Sequence, residues 1–420
     1  MLTGTTKKNQ KGECKARHEI FATTMDHSPF FGEDDANLAG GPPALYLHVP
    51  YCRSRCTYCD FNAYHLNSES ESVFTDYAEA LIQDIRSSQP QAVSTMFWGG
   101  GTPSLMPLDS LARILREVKA VHPIAADSEH TIEVNPGTVT SSNLERYLEL
   151  GINRLSVGAQ SFEEKHLRLV GRIHSPNHIE DCLRQARQVG FQNLSLDLIY
   201  GFPTQTVEEW RRTLDRALDL QPDHLSVYQL TVEPATRLQV QLAQGELTLP
   251  CEDDLIAMDD LAEEVLSTEG YRRYEISNWA RPGKECRHNL IYWADLPYLG
   301  LGCGAVSFVD GWRIERIKPP TYYQRALAQG RSPVIFAERR GSDGALKDYL
   351  MMALRVRGGV TWSSVQRRFP TLSKDQIVQF LERLPADWWR TSNRGFELTR
   401  RGWDFHSEVT MELMNVMFSF

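Results

Sequence analysis

The chain has 420 residues, of which 41% are hydrophobic and 24% charged, a composition that excludes a chain disordered throughout. Its 45 Lys and Arg against 54 Asp and Glu give a net charge of −9, which disfavours nucleic-acid binding through overall charge. No apolar run is long enough for a transmembrane helix, and the N-terminus lacks the apolar core of a secretory signal. We therefore expect a cytoplasmic protein, and its eight cysteines are too few for a disulfide scaffold.

The first 43 residues differ from the rest of the chain. Residues 1–24 are basic, residues 25–43 turn acidic, and the segment ends in Ala-Gly-Gly-Pro-Pro. Because no helical or strand period is visible there, we predict a disordered N-terminal extension. A basic, acid-poor leader is also typical of an organelle transit peptide, which would place the protein in a matrix or stroma instead.

From residue 44, short apolar runs alternate with amphipathic stretches of helical length. The strands are expected at 44–49, 95–98, 131–134, 154–157, 193–199 and 224–230. The helices between them are expected at 72–86, 108–121, 142–150, 177–189 and 206–218. Such alternation is typical of βαβ units, so we predict an α/β fold with a parallel sheet, in the form of a partial (β/α)6 barrel.

The last eighty residues follow another pattern. Helical runs at 360–369 and 373–384, a hairpin near 396–399 and a final helix predict an α+β C-terminal region with a winged-helix-like module. Its basic residues are dispersed among acidic ones, which favours a lid or interaction module over nucleic-acid binding. The predicted division is an extension at 1–43, the barrel at 44–275, a connecting region at 276–340 and the module at 341–420.

Unusual residues follow the predicted strands. Cys52-x3-Cys56-x2-Cys59 follows the first strand, and a Gly-Gly-Gly-Thr-Pro segment at 99–103 follows the second. Three polar residues lie near the ends of the next three strands, namely Glu133, Gln160 and Asp197. Because the carboxyl ends of parallel strands meet at one rim, we expect all of them to converge there.

The three cysteines predict a metal centre. A closed structural zinc site normally takes four ligands, and no fourth cysteine is near. Soft thiolates suit an iron–sulfur cluster, and a [4Fe–4S] cluster held by three cysteines leaves one iron open. Two alternatives are incidental buried cysteines and a zinc site completed by His48.

The cysteine motif, with Tyr58 before its last cysteine, resembles that of the radical S-adenosylmethionine (SAM) enzymes. Residues 46–61 are similar to the branch that contains oxygen-independent coproporphyrinogen III dehydrogenase and the HemW-type haem chaperones. The similarity covers about residues 44–410. It continues through the motifs at 99–104, 133–136, 158–162, 197–201 and 288–293.

The resemblance implies a SAM site beside the cluster, with the amino and carboxylate groups of SAM on the open iron. Arg172 offers a fork that suits a carboxylate, and Asp197 lies in an apolar run where an ionised carboxylate needs a partner. The glycines at 99–101 allow close approach of a ligand, or they serve a tight strand-to-helix turn. By resemblance, Cys52, Cys56 and Cys59 hold the cluster, and the SAM residues are Tyr46, Tyr58, Gly100, Gly101, Thr102, Glu133, Gln160, Arg172, Asp197 and Thr231.

Two departures separate the branches. The dehydrogenase branch usually has a further cysteine two residues after the third, where this chain has Phe61, and a structured N-terminal segment that residues 1–43 do not suggest. Both favour a haem chaperone that transfers haem to acceptor proteins, with a reducing partner such as flavodoxin or ferredoxin. One alternative is a dehydrogenase of porphyrin biosynthesis that acts through a 5′-deoxyadenosyl radical. The other is a binding module whose cluster is structural.

Residues 285–293 resemble the His-Asn-x-x-Tyr-Trp signature of HemW-type proteins, which implies a haem contact. Imidazole or thiolate can serve as an axial haem ligand, which makes His288 and Cys286 the candidates. The same segment could instead cap and pack a helix. Many family members have a histidine where this chain has Val306, so His288 or Cys303 would have to replace it.

Overall fold

The computed structural model describes residues 43–66 and 71–417. The extension predicted at 1–43 therefore lies outside the described residues, except for Pro43. Within the described part of the chain there are seventeen strands and fifteen α-helices.

The strands contribute to three sheets. In chain order they are β1 (Ala44–Val49), β2 (Tyr51–Cys52), β3 (Tyr64–His65), β4 (Val93–Gly100), β5 (Ile124–Val134), β6 (Arg154–Gln160), β7 (Leu194–Tyr200), β8 (His224–Gln229), β9 (Arg272–Glu275), β10 (Asn278–Ala280), β11 (Tyr298–Leu301), β12 (Val306–Val309), β13 (Trp312–Arg316), β14 (Val334–Arg339), β15 (Val360–Thr361), β16 (Trp389–Thr391) and β17 (Gly395–Leu398).

The helices alternate with the strands up to β8 and then become more irregular in spacing. They are α1 (Glu71–Ser87), α2 (Leu108–Val121), α3 (Ser141–Leu150), α4 (Glu164–Leu169), α5 (Pro176–Val189), α6 (Val207–Asp219), α7 (Arg237–Ala243), α8 (Glu252–Thr268), α9 (Arg287–Trp293), α10 (Pro320–Ala328), α11 (Ser342–Ala353), α12 (Trp362–Arg368), α13 (Lys374–Leu381), α14 (Arg400–Asp404) and α15 (His406–Met417).

The main sheet has twelve strands in the order β14-β13-β12-β11-β1-β4-β5-β6-β7-β8-β10-β9. Its central strands β1, β4, β5, β6, β7 and β8 are neighbours and all parallel, which confirms the predicted partial barrel. Strand β11 extends the parallel part beside β1, while β12–β14 and the β9–β10 hairpin add antiparallel strands at the two edges. The six parallel strand ends thus meet at one rim.

Burial explains the two sequence patterns, the short apolar runs of the strands and the amphipathic stretches of the helices. All seven residues of β6 are buried, as expected for a parallel strand covered on both faces. Helix α2 buries one side only, through Leu111, Ile114, Leu115 and Val118. The helix bounds agree with the prediction to within about a residue, whereas β5 begins at Ile124 rather than 131, because no continuous apolar run marks its first seven residues.

The C-terminal region forms a second layer with its own core. Strands β15, β17 and β16 make a small antiparallel sheet, and the helices around it bury Tyr349, Leu381, Phe396 and Trp403. This arrangement bears out the winged-helix-like fold. Where Ile276 follows β9, its backbone N–H donates to the carbonyl of Arg355 at 3.1 Å, which ties this region to the main sheet.

The division into domains stays a prediction. The main sheet continues through β14, so a boundary after residue 275 falls inside the β9–β10 hairpin. In the described part of the chain, no helix has both the length and the apolar character needed to cross a membrane. The cellular location also stays a prediction.

Candidate cluster and cofactor site

The residues predicted to hold the cluster and SAM line a single cavity of about 570 Å³. It lies inside the partial barrel, and the cysteine loop lines it at the carboxyl ends of the strands. The predicted residues on its wall are Tyr46, Cys52, Cys56, Tyr58, Cys59, Gly100, Gly101, Thr102, Glu133, Gln160, Arg172, Asp197 and Thr231. The structure thus brings together side chains that are up to 185 positions apart in the sequence.

The cysteine loop is anchored by distant parts of the barrel. The Thr57 N–H donates to the carbonyl of Val170 at 3.0 Å, and the Thr57 carbonyl accepts from the N–H of Leu238 at 2.9 Å. The Ser54 hydroxyl adds a bond to the carbonyl of Gly171 at 2.9 Å. The loop is therefore fixed over the cavity, with all three cysteines as free, partly exposed thiols.

The thiols fit a multi-iron cluster better than a single ion. Among the described residues, no three His, Cys, Asp or Glu side chains are grouped so that they could hold one metal ion. In an iron–sulfur cluster, by contrast, each cysteine binds a different iron. Burial raises the pKa of Cys59 to about 11, so iron binding at neutral pH would release its proton.

The zinc alternative with His48 is wrong. The Nδ1 atom of His48 lies 3.0 Å from the Tyr46 hydroxyl, and its Nε2 lies 2.9 Å from the carbonyl of Asn62. Both ring nitrogens are therefore used by the protein itself, and burial lowers the pKa of His48. This histidine supports Tyr46 at the cavity wall instead of completing a metal site.

A chain of hydrogen bonds connects the cysteine loop to Arg172. The Thr102 hydroxyl donates to the Cys52 sulfur at 3.5 Å and accepts from Asn135 Nδ2 at 2.8 Å. Arg172 donates through Nη1 to Asn135 Oδ1 at 2.5 Å and through Nη2 to the Tyr58 hydroxyl at 3.3 Å. Its Nε is enclosed and has no partner in the described part of the chain, so a carboxylate ligand would be bound by the remaining Nη donors.

Asn135 is a site residue that the sequence reasoning missed. It belongs to the Glu-Val-Asn-Pro motif quoted for the resemblance and follows directly after β5. Its position just past a strand end was the available signal. The side chain lines the cavity and holds both Thr102 and Arg172.

Two carboxyl groups also line the cavity. The Glu133 carboxylate accepts the backbone N–H of Gly100 at 3.2 Å, and the Asp197 carboxylate accepts the Ser156 hydroxyl at 3.1 Å. Burial and the nearby Asp197 charge raise the pKa of Glu133 to about 8, and burial also raises the pKa of Asp197. A ligand with a positive charge would favour the ionised forms of both.

The glycines at the end of β4 serve the packing of the protein. Gly100 has a φ of 110°, and a Cβ there would overlap the ring of His48. A Cβ on Gly101 would lie 2.8 Å from backbone atoms of Pro50 and Tyr51. The tight-turn interpretation therefore accounts for them: they bring β4 against the segment that leads into the cysteine loop.

The predicted haem ligands lie at or behind the far end of the cavity. His288 lines the cavity, but its Nδ1 lies 2.9 Å from the Thr95 hydroxyl and its Nε2 lies 2.8 Å from the Tyr292 hydroxyl. Cys286 does not line the cavity, and its thiol faces Glu129 at 3.5 Å. Burial raises the pKa of Cys286 to about 12 and lowers that of His288 to about 3, so neither group is charged.

This geometry makes Cys286 a poor haem ligand, and His288 could bind iron only after giving up one of its hydrogen bonds. Cys303, the other thiol considered, is fully buried and does not line the cavity. The helix-packing interpretation of the segment therefore explains its contacts. The assignment of His288 as a haem ligand stays a prediction.

Comparisons with known proteins agree with this site. Residues 46–217 match the Radical SAM superfamily. "Heme chaperone HemW" of Synechocystis sp. is 39% identical over 352 residues, which cover 82% of this chain and 84% of the relative. The protein of the same name from Escherichia coli is 40% identical over 297 residues, 69% of this chain and 76% of the relative.

A solved structure resembles nearly the whole chain. Coproporphyrinogen III oxidase (HemN) from Escherichia coli, described as a radical SAM enzyme, superimposes with a TM-score of 0.78 at 25% identity. The match covers 94% of this chain and 96% of that one. Its lower identity sets it apart from the HemW relatives. On the identity and coverage of those relatives, the chain belongs to the HemW family of the radical SAM superfamily.

Proposed function

We propose that the protein binds haem and transfers it to acceptor proteins, and that it carries a [4Fe–4S] cluster with SAM on its open iron. One observation carries this proposal: a single cavity gathers the three cysteines and all ten residues predicted for SAM. The names of the HemW relatives supply the haem-chaperone activity.

In this proposal the cavity wall complements a zwitterionic ligand. Arg172, held by Asn135 and Tyr58, would pair with the carboxylate of SAM, and Glu133 and Asp197 would accept from its amino group or ribose hydroxyls. When bound, the cluster would supply the electron that cleaves SAM. The chain's own residues would orient SAM and shield it from water inside the barrel.

Gln160 supports a binding role at the same rim. Its φ of 66° lies in the left-handed region, which costs a non-glycine residue energy, and such strain is concentrated at functional sites. A Cβ on Gly158 would lie 3.0 Å from the Gln160 amide nitrogen, so a side chain there would crowd this amide. The backbone is thus built to hold the Gln160 amide at the cavity.

An electron carrier such as flavodoxin or ferredoxin would reach the cluster from outside the loop. Phe61 and Ile173 are 62% and 64% exposed there, unusually high for large apolar side chains. Phe61 lies two residues from Cys59, and Ile173 follows Arg172. This apolar exposure beside partly exposed cysteines supports the approach of a reducing protein on this side.

The second candidate is coproporphyrinogen III oxidation, which the likeness to HemN favours. The cysteine that the dehydrogenase pattern usually has two residues after the third is Phe61 in this chain, and its ring can neither bind metal nor transfer a proton. The chaperone therefore remains the proposal that both the sequence and the relatives support.

The test uses the full chain after anaerobic cluster reconstitution. Haem binding is followed by absorption spectroscopy. For transfer, the haem-loaded protein is mixed with a haem protein from which the haem has been removed, and the absorption spectrum is followed. In parallel, coproporphyrinogen III, SAM and a reductant are supplied and the porphyrin products are measured. Haem binding and transfer without turnover are expected. Turnover of coproporphyrinogen III, or failure to bind haem, would overturn the proposal.

A further inference from the structure

The floor of the cavity holds an arginine that has no hydrogen-bond or ion-pair partner among the residues that the structure describes. Arg154 begins β6, is 1% exposed and lines the cavity at the end away from the cysteine loop. Its guanidinium makes no hydrogen bond and no ion pair with the residues that the structure describes, and its Nε is fully enclosed. A buried charge is costly to desolvate, so the unused donors of this arginine would favour an anionic ligand in the cavity.

The carboxylates near Arg154 are engaged elsewhere. Glu129 accepts two backbone N–H groups at the start of α9, both at 3.1 Å, and thereby caps that helix. Asp197 accepts the Ser156 hydroxyl with both carboxylate oxygens, at 3.1 and 3.2 Å. Burial opposes the charge of Arg154, but these two carboxylates help to raise its pKa, although neither is an ion-pair partner of its guanidinium.

The histidines of the floor are also occupied. His224 lies 2.8 Å from the Ser195 hydroxyl through Nδ1 and 2.9 Å from the Tyr274 hydroxyl through Nε2. His288 uses both nitrogens in the same way. Burial and the Arg154 charge lower the pKa of both histidines, which are therefore neutral. Arg154 is thus the cation of the floor with free donors.

We propose that Arg154 forms a binding subsite for a carboxylate group at the floor of the cavity. A planar guanidinium can take a carboxylate through two parallel hydrogen bonds, and the cavity gives such a group access to it. The carboxylate is that of a haem propionate, because the single carboxylate of SAM is assigned to Arg172 at the rim. The haem source rests on the proposed function, whereas the carboxylate chemistry does not.

The test compares ligands that differ in this group alone. Haem and haem dimethyl ester are titrated by absorption into the cluster-reconstituted wild type, Arg154→Met and Arg154→Lys. SAM is titrated into the same proteins by calorimetry. Arg273→Lys is the matched control, because Arg273 is 5% exposed but lies outside the cavity.

If a propionate is bound, the wild type should prefer haem over its ester by roughly 10- to 150-fold, the range for a charged hydrogen bond. Arg154→Met should bind both alike, Arg154→Lys should retain part of the preference, and Arg273→Lys all of it. SAM affinity should be the same in all of these proteins, because the SAM carboxylate is assigned to Arg172, and a loss confined to the Arg154 variants would overturn the assignment to haem.

Two results overturn the subsite. One is a haem-to-ester ratio that is the same in the wild type and in Arg154→Met. The other is a preference that falls as much in Arg273→Lys as in Arg154→Lys. A wild type that does not bind haem at all contradicts the proposed function, whereas a wild type that binds haem and its ester alike contradicts only the subsite.

Discussion

Replacing Asn135 by alanine should weaken SAM binding by roughly 10- to 150-fold and leave the cluster in place. The change removes the acceptor that holds Arg172 at 2.5 Å and the donor that holds Thr102 at 2.8 Å. A displaced Arg172 would lose its proposed contact with the SAM carboxylate; a hydrogen bond to a charged group contributes about 1.5–3 kcal/mol, and each 1.4 kcal/mol is about tenfold in affinity. The cysteines keep their positions because the loop is anchored through Ser54 and Thr57.

The assay measures iron per chain and then the dissociation constant of SAM by calorimetry, both without oxygen. Asn153→Ala is the matched control. The Asn153 side chain also makes two hydrogen bonds, each of 2.9 Å, but it does not line the cavity. The reasoning is refuted if Asn135→Ala has full iron and unchanged SAM affinity. It is refuted equally if Asn153→Ala weakens SAM to the same extent.

Three further perturbations test other parts of the site. Cys52→Ala should reduce iron from about four per chain to almost none, whereas Cys182→Ala, outside the cavity, should keep it. The pKa of Glu133 is raised from 4.5 to about 8, so the folded state favours its protonated form. The stability that this form contributes is fully present below pH 4.5 and is lost as the pH rises through about 8. Between pH 5 and pH 9, the free energy of unfolding measured with denaturant should fall less in Glu133→Gln than in the wild type. Equal losses in the two proteins would contradict this cause. Gly100→Ala should lower the melting temperature more than Gly151→Ala, since both have positive φ but only the first meets neighbouring atoms.

The fold was accessible from the sequence wherever burial is regular. Strand β6 and helix α2 follow their expected patterns, an apolar run and an amphipathic stretch, because each packs against the same core along its whole length. The early part of β5 was missed because its Ala-Asp-Ser-Glu residues carry no apolar signal: Ala126 and Asp127 are exposed, and the buried Glu129 is charged, although the backbone still pairs with β4. The antiparallel edge strands β12–β14 were not predicted: they lie at an edge of the sheet, and all six residues of β14 are exposed, so no alternation of buried and exposed positions marks that strand.

The glycines at the end of β4 show a motif whose need for glycine was predicted but whose reason was not. Gly100 was expected to make room either for a ligand or for a turn, and the sequence could not choose between them. The choice depends on His48, fifty-two positions away, whose ring occupies the space that a Cβ would fill. Such a contact exists only after β1 and β4 have paired, so no local pattern contains it.

The floor of the cavity shows a limit of a different kind. The rule that chemistry lies at the carboxyl ends of parallel strands led to the rim and to Glu133, Gln160 and Asp197. Arg154 and His224 are the first residues of β6 and β8, so the rule itself directed attention away from them. The cavity nevertheless extends along the barrel from the cysteine loop to these strand beginnings. If the rim binds SAM, as the resemblance implies, the groups that recognise a second ligand are to be sought at the floor.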